Sequence, residues 1–315
     1  MKVFEQNVIN LYGKKGEAWL DELPKLVEQA TSNLGFHDLK PIPNLSYNFV
    51  LSGFKENYPI ILKMGLDYES LKREAFALKC FAGFGAIKVI SETSSLLLLE
   101  RAVPGISLKY YFSVFHDTHS AAIQKNPGSP QSLTLLRDDD TVEIACNLIQ
   151  KLHQVPIPKN HDLPHIKDWL SALDHHCCKG YSNDELFNYL QKAIKLRNQL
   201  LETAGPDVLL HGDLHHDNIL QHDEEWVIDP KGVIGGAAFE AAAFIRNPTP
   251  DLLEQNNANI IIQNRIAAFA VAFGISTERM ANWSFIQAVL AWVWALEDKE
   301  DTQYWEKLVT IFESL

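Results

Sequence analysis

The 315-residue sequence predicts an α+β chain folded as two lobes, a small sheet-plus-helix lobe over 1–102 and a larger, mainly helical lobe over 103–315. Three observations predict it. Short strand candidates flank one strong helix before residue 103, Pro104 and Gly105 punctuate the chain, and helical periodicity dominates beyond them. An apolar content of 46% is enough to build a core in each lobe.

A leading helix is expected over 16–31, where Trp19, Leu20, Leu23, Leu26 and Val27 recur at three- and four-residue spacing. Strand candidates follow in "LKPI", "YNFVLSG" and "PIILKMG", the last carrying Lys63 inside an apolar run. A helix is expected across "DYESLKREAFALKCFAGFG", because Leu71, Ala75, Leu78 and Phe81 line one face and the glycines mark its end. "AIKVISE" and "SLLLLERA" then complete a small, mostly antiparallel sheet. Past "AVPGIS", residues 125–134 read as a loop, and "LLRDDDTVEIACNLIQKLHQVP" restarts a helix whose first-turn acids favour the helix dipole. Further helices are expected at 164–178, 183–204, 250–274, 282–297 and 301–314, with "DVLL", "NILQ" and "EWVID" as short strands between them.

The charge balance, 28 basic against 40 acidic residues or −12, argues against nucleic acid and against anionic membranes, which need clustered Lys and Arg. The first twenty residues carry no apolar core beside a small-residue cleavage site, and "FIQAVLAWVWALED" is shorter than the roughly 20 residues that span a bilayer. A cytoplasmic protein is expected. The four cysteines show no disulfide-framework spacing, in keeping with a reducing compartment.

The chemistry concentrates in "VLLHGDLHHDNILQHDEEWVIDPKG". A metal site, a phosphate-handling loop and a plain Asx-rich turn all compete for it. An apolar strand, a polar loop and two strands joined by a turn bring Asp213, Asn218 and Asp229 toward one end. All three are oxygen ligands, and Mg²⁺ takes one or two carboxylates with an amide oxygen and substrate phosphates. Phosphoryl transfer needs the same set: one Asp to orient the attacking hydroxyl, then Asn and a second Asp for metal on the nucleotide. His211 is expected to buttress the loop, and His215 and His216 to line the cleft.

"HGDLHHDN" followed by "IDPKG" resembles the catalytic and metal-binding loops of the aminoglycoside phosphotransferases, and "DPKGVIG...FEAAAFIRNP" is similar to their streptomycin 6-kinase and hydroxyurea kinase branch. "LLLLERAVPG" looks like the family's interlobe linker, and "ACNLIQKLHQVP" like its helix ending in Leu-His, so the likeness runs from about Leu45 to Pro248. It implies a protein-kinase-like fold, ATP and Mg²⁺ as cofactors, and transfer of a γ-phosphoryl group to a small-molecule hydroxyl. The acceptor it implies is streptomycin-like or hydroxyurea, with another amino sugar or polar metabolite as the alternative. By the same resemblance Asp213 is the catalytic Asp, Asn218 and Asp229 hold metal, Lys63 contacts nucleotide phosphates, and Glu74 fixes Lys63. The backbone of Glu100, Arg101 and Ala102 falls in the linker that pairs with adenine.

The chain also departs from the pattern. No GxGxxG precedes Lys63, so amides around Ser46 to Asn48 are expected to cover the phosphates. Gly236 and Ala237 stand where the branch has an acid and Pro, and the stretch 109–136 is longer than the family's. Lys231 reads either as a solvated turn lysine or as a γ-phosphate contact, and Glu240 as a ligand for a cationic acceptor. Asp184 and Glu185 suit a helix N-terminus after Ser182. "DHHCCKG" invites zinc but lacks a second ligand pair and reads as a helix C-terminus. "GDLHH" lacks the downstream loops of a binuclear phosphoesterase, and Trp292 and Trp294 read as core. A nucleotide-binding protein with little transferase activity is the competing class.

Overall fold

The computed structural model describes residues 1–43, 45–93, 95–117, 136–178, 184–222 and 224–315. The chain divides into two compact units, Met1–Gly105 and Ile106–Leu315. The loop expected at 125–134 and the cap expected at Ser182 lie outside the described residues.

The first unit opens with two helices, α1 (Lys2–Tyr12) and α2 (Lys14–Leu34), parted by Gly13 at φ 57°. Only the second was expected. The first is short and no side chain caps its start, so no N-terminal signal marks it. Tertiary packing stabilises it instead: the Phe4 ring lies 6.2 Å from Trp19 and 5.6 Å from Phe49, inside a core that includes Leu23, Leu51 and Ile60. Next come β1 (Phe36–Pro41), β2 (Phe49–Lys55), β3 (Tyr58–Met64), α3 (Tyr68–Cys80), β4 (Val89–Glu92) and β5 (Leu96–Glu100). The strands form one antiparallel sheet ordered β1-β2-β3-β5-β4. The Asp67 carboxylate accepts the Ser70 N–H at 2.9 Å and so fixes the start of α3.

The second unit follows β6 (Pro104–Ser107), the strand in which the division falls, with α4 (Leu108–Asp117), α5 (Asp138–Leu152), α6 (Ile166–Cys178) and α7 (Asp184–Glu202). Then come β7 (Asp207–Leu210), a 3-10 turn (His216–Asn218), β8 (Ile219–His222), β9 (Glu224–Val227), β10 (Val233–Gly236) and α8 (Ala238–Ile245). Helices α9 (Ala258–Phe273), α10 (Thr277–Glu297) and α11 (Gln303–Glu313) close the unit. α4, β10 and α8 were not expected. The helix expected from residue 250 begins only at Ala258, because the carbonyls of Pro248 and Pro250 accept Leu252 and Leu253 in turns. α10 packs against α6, α7, α8, α9 and α11, with Trp283 and Trp292 buried in that core and Trp294 partly buried against Trp169 at 5.9 Å. Among the described residues no single helix is long and apolar enough to cross a membrane.

The docking of α1 rests on two buried side chains, Phe4 and Val8, of which Phe4 is the larger. Phe4→Ala is expected to lower unfolding stability by about 3–5 kcal/mol, read from urea denaturation; a loss under about 1 kcal/mol would mean that α1 is not part of the folded core.

Candidate active site

In the first unit, α3 buries Leu71, Ala75 and Leu78, and Glu74 falls on the same helical stripe. Its carboxylate is thereby carried inward with the apolar side chains. Lys63 on β3 pairs in register with Val50 and Leu97 and is equally buried. Lys63 Nζ donates to Glu74 Oε2 at 2.6 Å, both side chains being 6% exposed. Removing either partner would leave a desolvated charge, a loss of about 3–5 kcal/mol.

In the linker, the Glu100 N–H donates to the Lys88 carbonyl at 3.0 Å and the Arg101 N–H to the Pro59 carbonyl at 3.2 Å. Both are spent inside the sheet. The expectation that all three linker amides face a base is corrected accordingly: Ala102, itself buried, is the one whose N–H the sheet leaves uncommitted among the described residues.

In the second unit, the polar loop leaves β7 and is bounded by two strand pairs, β7 with β10 and β8 with β9. Gly212 takes φ 86°, and a Cβ there would meet the Trp169 and Val233 side chains at 2.9 Å, so only glycine fits the turn. The Glu240 carboxylate, on α8, accepts the His211 N–H at 2.6 Å and the Gly212 N–H at 2.9 Å. This overturns the expectation that Glu240 binds a cationic acceptor. It is 1% exposed, and both oxygens are committed to the loop backbone.

His211 is wholly buried, and its Nε2 donates to the Ile228 carbonyl at 2.8 Å while Nδ1 accepts the Asp213 N–H at 3.2 Å. That tautomer is neutral, and burial pushes the pKa of His211 down. Asn218 donates its side-chain N–H to the Asp213 carbonyl at 2.9 Å, which leaves its amide oxygen as the end able to meet a cation. The Ile228 N–H donates to the Asn218 carbonyl at 3.1 Å, so Asn218 and Asp229 share the open end of the β8-β9 hairpin. Asp229 adopts φ 60°, a left-handed conformation that Asp tolerates better than most residues, and it pairs with Lys231 at 3.6 Å. Lys231 is thus neither simply solvated nor remote from the loop. An amide oxygen and a carboxylate at one hairpin end are hard donors that suit Mg²⁺.

Burial alone would raise the Asp213 carboxyl, but His215, Lys231 and Arg246 more than offset it and hold it below its ordinary range. Arg246 is the residue that sequence reasoning missed. Its Nη2 lies 3.6 Å from Asp213 Oδ1 and its guanidinium lies over the Trp305 ring at 5.3 Å. The available signal was a lone Arg closing the apolar run "FEAAAFI".

The histidines following Asp213 also need correction. His216 does not line a cleft: it is fully buried, stacked on Phe244 at 3.9 Å, and its Nε2 accepts from Arg265 at 3.2 Å. Burial, with Arg265 beside it, pushes its pKa well down. His215 Nδ1 instead accepts the Asp217 N–H at 3.3 Å and caps the 3-10 turn. Near the end of α6, His176 faces Glu297 at 3.3 Å, and no group of three or more His, Cys, Asp or Glu forms a metal site among the described residues.

A model of the aminoglycoside/hydroxyurea antibiotic resistance kinases matches residues 128–299. The chain is 22% identical over 299 residues to a streptomycin 6-kinase of Streptomyces glaucescens, covering 91% of this chain and 87% of that one. It is 26% identical over 222 residues to a streptomycin 3''-kinase of Klebsiella pneumoniae, covering 69% and 72%. Among solved structures, a thermostable mutant of aminoglycoside phosphotransferase APH(4)-Ia with ADP and hygromycin B matches with a TM-score of 0.64 at 12% identity, over 91% of this chain and 97% of that one. Choline kinase LicA of Streptococcus pneumoniae matches with a TM-score of 0.63 at 14% identity, over 93% and 100%. These structural likenesses show the expected protein-kinase-like α+β fold.

The buried neutral histidines make stability depend on pH. A base whose pKa is pushed down by folding binds protons more weakly folded than unfolded, so its contribution is complete above about pH 6.5 and drains as pH falls toward the folded value. The melting temperature is expected to fall between about pH 7 and pH 5, above the range of ordinary carboxylates. A flat profile there would contradict neutral burial of His211 and His216.

Proposed function

The chain belongs to the aminoglycoside/hydroxyurea antibiotic resistance kinases, and from that premise we propose that it transfers the γ-phosphoryl group of ATP to a hydroxyl of an aminoglycoside-like acceptor. The observation that carries this reading is the loop itself: Asp213 partly exposed, Asn218 tied by its amide to the Asp213 carbonyl, and Asp229 at the same hairpin end.

The roles follow from the chemistry. Asp213, kept ionised, accepts a hydrogen bond from the acceptor hydroxyl and aims its oxygen. Because the carboxylate is a weak base, it orients first and takes the proton late. Asn218 and Asp229 are assigned to Mg²⁺, which when bound neutralises charge on the nucleotide phosphates. Lys63, fixed by Glu74, is assigned to the same phosphates, and the Ala102 amide to the adenine edge. Lys231 accompanies Asp229 through their ion pair.

Streptomycin and hydroxyurea are the leading acceptors. A second reading, another amino sugar or a polar metabolite, draws support from Glu240, whose commitment to the loop removes the carboxylate that would have recognised a polycation.

Incubation of the full chain with Mg·ATP and, separately, streptomycin, other aminoglycosides, hydroxyurea and amino-sugar metabolites, with product mass read directly, tests the acceptor. Gain of one phosphoryl mass on streptomycin is the expected result; gain only on a metabolite outside the aminoglycosides would overturn it. Asp213→Asn is expected to lower turnover by about 100-fold or more while Mg·ADP affinity stays within about twofold. Unchanged turnover would remove Asp213 from the mechanism.

A further inference from the structure

Two arginines are buried around the catalytic loop, and their surroundings treat them differently. Arg265, with no exposed surface, is saturated: its Nε and Nη2 donate to the Asp138 carboxylate, Nη1 to the carbonyls of Phe244 and Asn247, and Nη2 also reaches His216. Arg246 has a side chain only 12% exposed, yet its guanidinium makes no hydrogen bond to any described residue. Nε is sealed from solvent without a partner, and the 3.6 Å separation of Nη2 from Asp213 Oδ1 is an ion contact longer than a hydrogen bond. Desolvating a cation without satisfying its donors is costly, so such a group in a native fold calls for an explanation, and a catalytic role is one.

The group is nevertheless held firmly. The Arg246 N–H donates to the Ala242 carbonyl at 3.2 Å, its own carbonyl accepts the Tyr304 hydroxyl at 2.7 Å, and the guanidinium lies over Trp305. Both ends of the side chain are therefore positioned before any ligand arrives, and donors fixed in advance need no reorganisation during the reaction.

We propose that Arg246 is a catalytic residue that donates hydrogen bonds to non-bridging oxygens of the phosphoryl group in transit. The inference rests on the kinase reading above. In the step, the acceptor oxygen forms its bond to the γ-phosphorus as the bond to the β–γ bridging oxygen breaks. ADP leaves with that electron pair, and the hydroxyl proton passes to Asp213. Negative charge thus gathers on the phosphoryl oxygens beside a carboxylate that is itself negative. A guanidinium already in contact with that carboxylate offsets the repulsion where it is greatest, and its idle donors give the oxygens somewhere to bind.

The test separates ground state from transition state without needing the acceptor. Mg·ADP affinity is measured with and without aluminium fluoride, a planar stand-in for the phosphoryl group, on the full chain and on Arg246→Gln and Arg246→Lys. The unmodified chain is expected to gain roughly 100-fold in affinity from aluminium fluoride. Arg246→Gln should bind Mg·ADP within about twofold of the unmodified chain but lose most of that gain, and Arg246→Lys should keep part of it. An equal gain in Arg246→Gln overturns the proposal, as does a matching loss of plain Mg·ADP affinity, which would make Arg246 structural. A chain that binds no Mg·ADP in any form overturns the kinase reading and this inference with it; one that binds it normally while Arg246→Gln behaves like the unmodified chain overturns only the inference.

Discussion

One buried carboxylate carries the geometry of the second unit's site. The loop after β7 must turn inward at Gly212, and the turn points two main-chain donors, those of His211 and Gly212, away from water. Left unpaired, each would cost about 1–3 kcal/mol. Glu240 takes both, and because an ionised acceptor makes the stronger bond, the turn is pinned rather than merely tolerated. The helix that supplies Glu240 is apolar on every side, so it buries all its faces and any polar group on it must find a partner in the interior. That is why α8 also delivers Phe244 to the His216 ring and ends at Arg246 beside Asp213. One short helix thereby touches the loop at His211, at Asp213 and at His216.

The first unit solves a related problem in the same way. A helix stripe drags Glu74 inward, and a strand presents Lys63 to it. In each case an apolar surface places a charge at depth, and the opposite charge or a pair of amides makes that depth affordable. The difference lies in what the pairing leaves over. Lys63 has an ion-pair partner in Glu74, whereas the Arg246 guanidinium has an ion contact and an aromatic face but no hydrogen bond among the described residues.

Much of the architecture was legible in the chain because its signals are local. The spacing of Leu71, Ala75 and Leu78 marks α3, the acids after Arg137 mark the start of α5, and the apolar runs around the polar loop mark β7, β8 and β9. α1 and α8 escaped for different physical reasons. No side chain caps the start of α1, and α8 is so uniformly apolar that no polar face gives it a period. At the site, spacing was enough to single out Asp213, Asn218 and Asp229 as one polar cluster between apolar strands. What spacing cannot reveal is how a side chain spends its hydrogen bonds. Glu240 looked like a ligand for cations because acids near such loops often are, and its two amide partners lie twenty-nine and twenty-eight positions away. Arg246 went unnoticed for the same reason, since its neighbours Asp213 and Trp305 come from far on either side in sequence.

The backing of Arg246 by Tyr304 and Trp305 has a consequence for biosynthesis. A nascent polypeptide that has emerged only as far as Asp229 already contains Lys63, Glu74, Asp213 and Asn218, yet the indole behind the arginine has still to be translated. Arg246 therefore gains its backing only once the chain has been made as far as Trp305, with Tyr304 holding its carbonyl and the indole lying over its guanidinium.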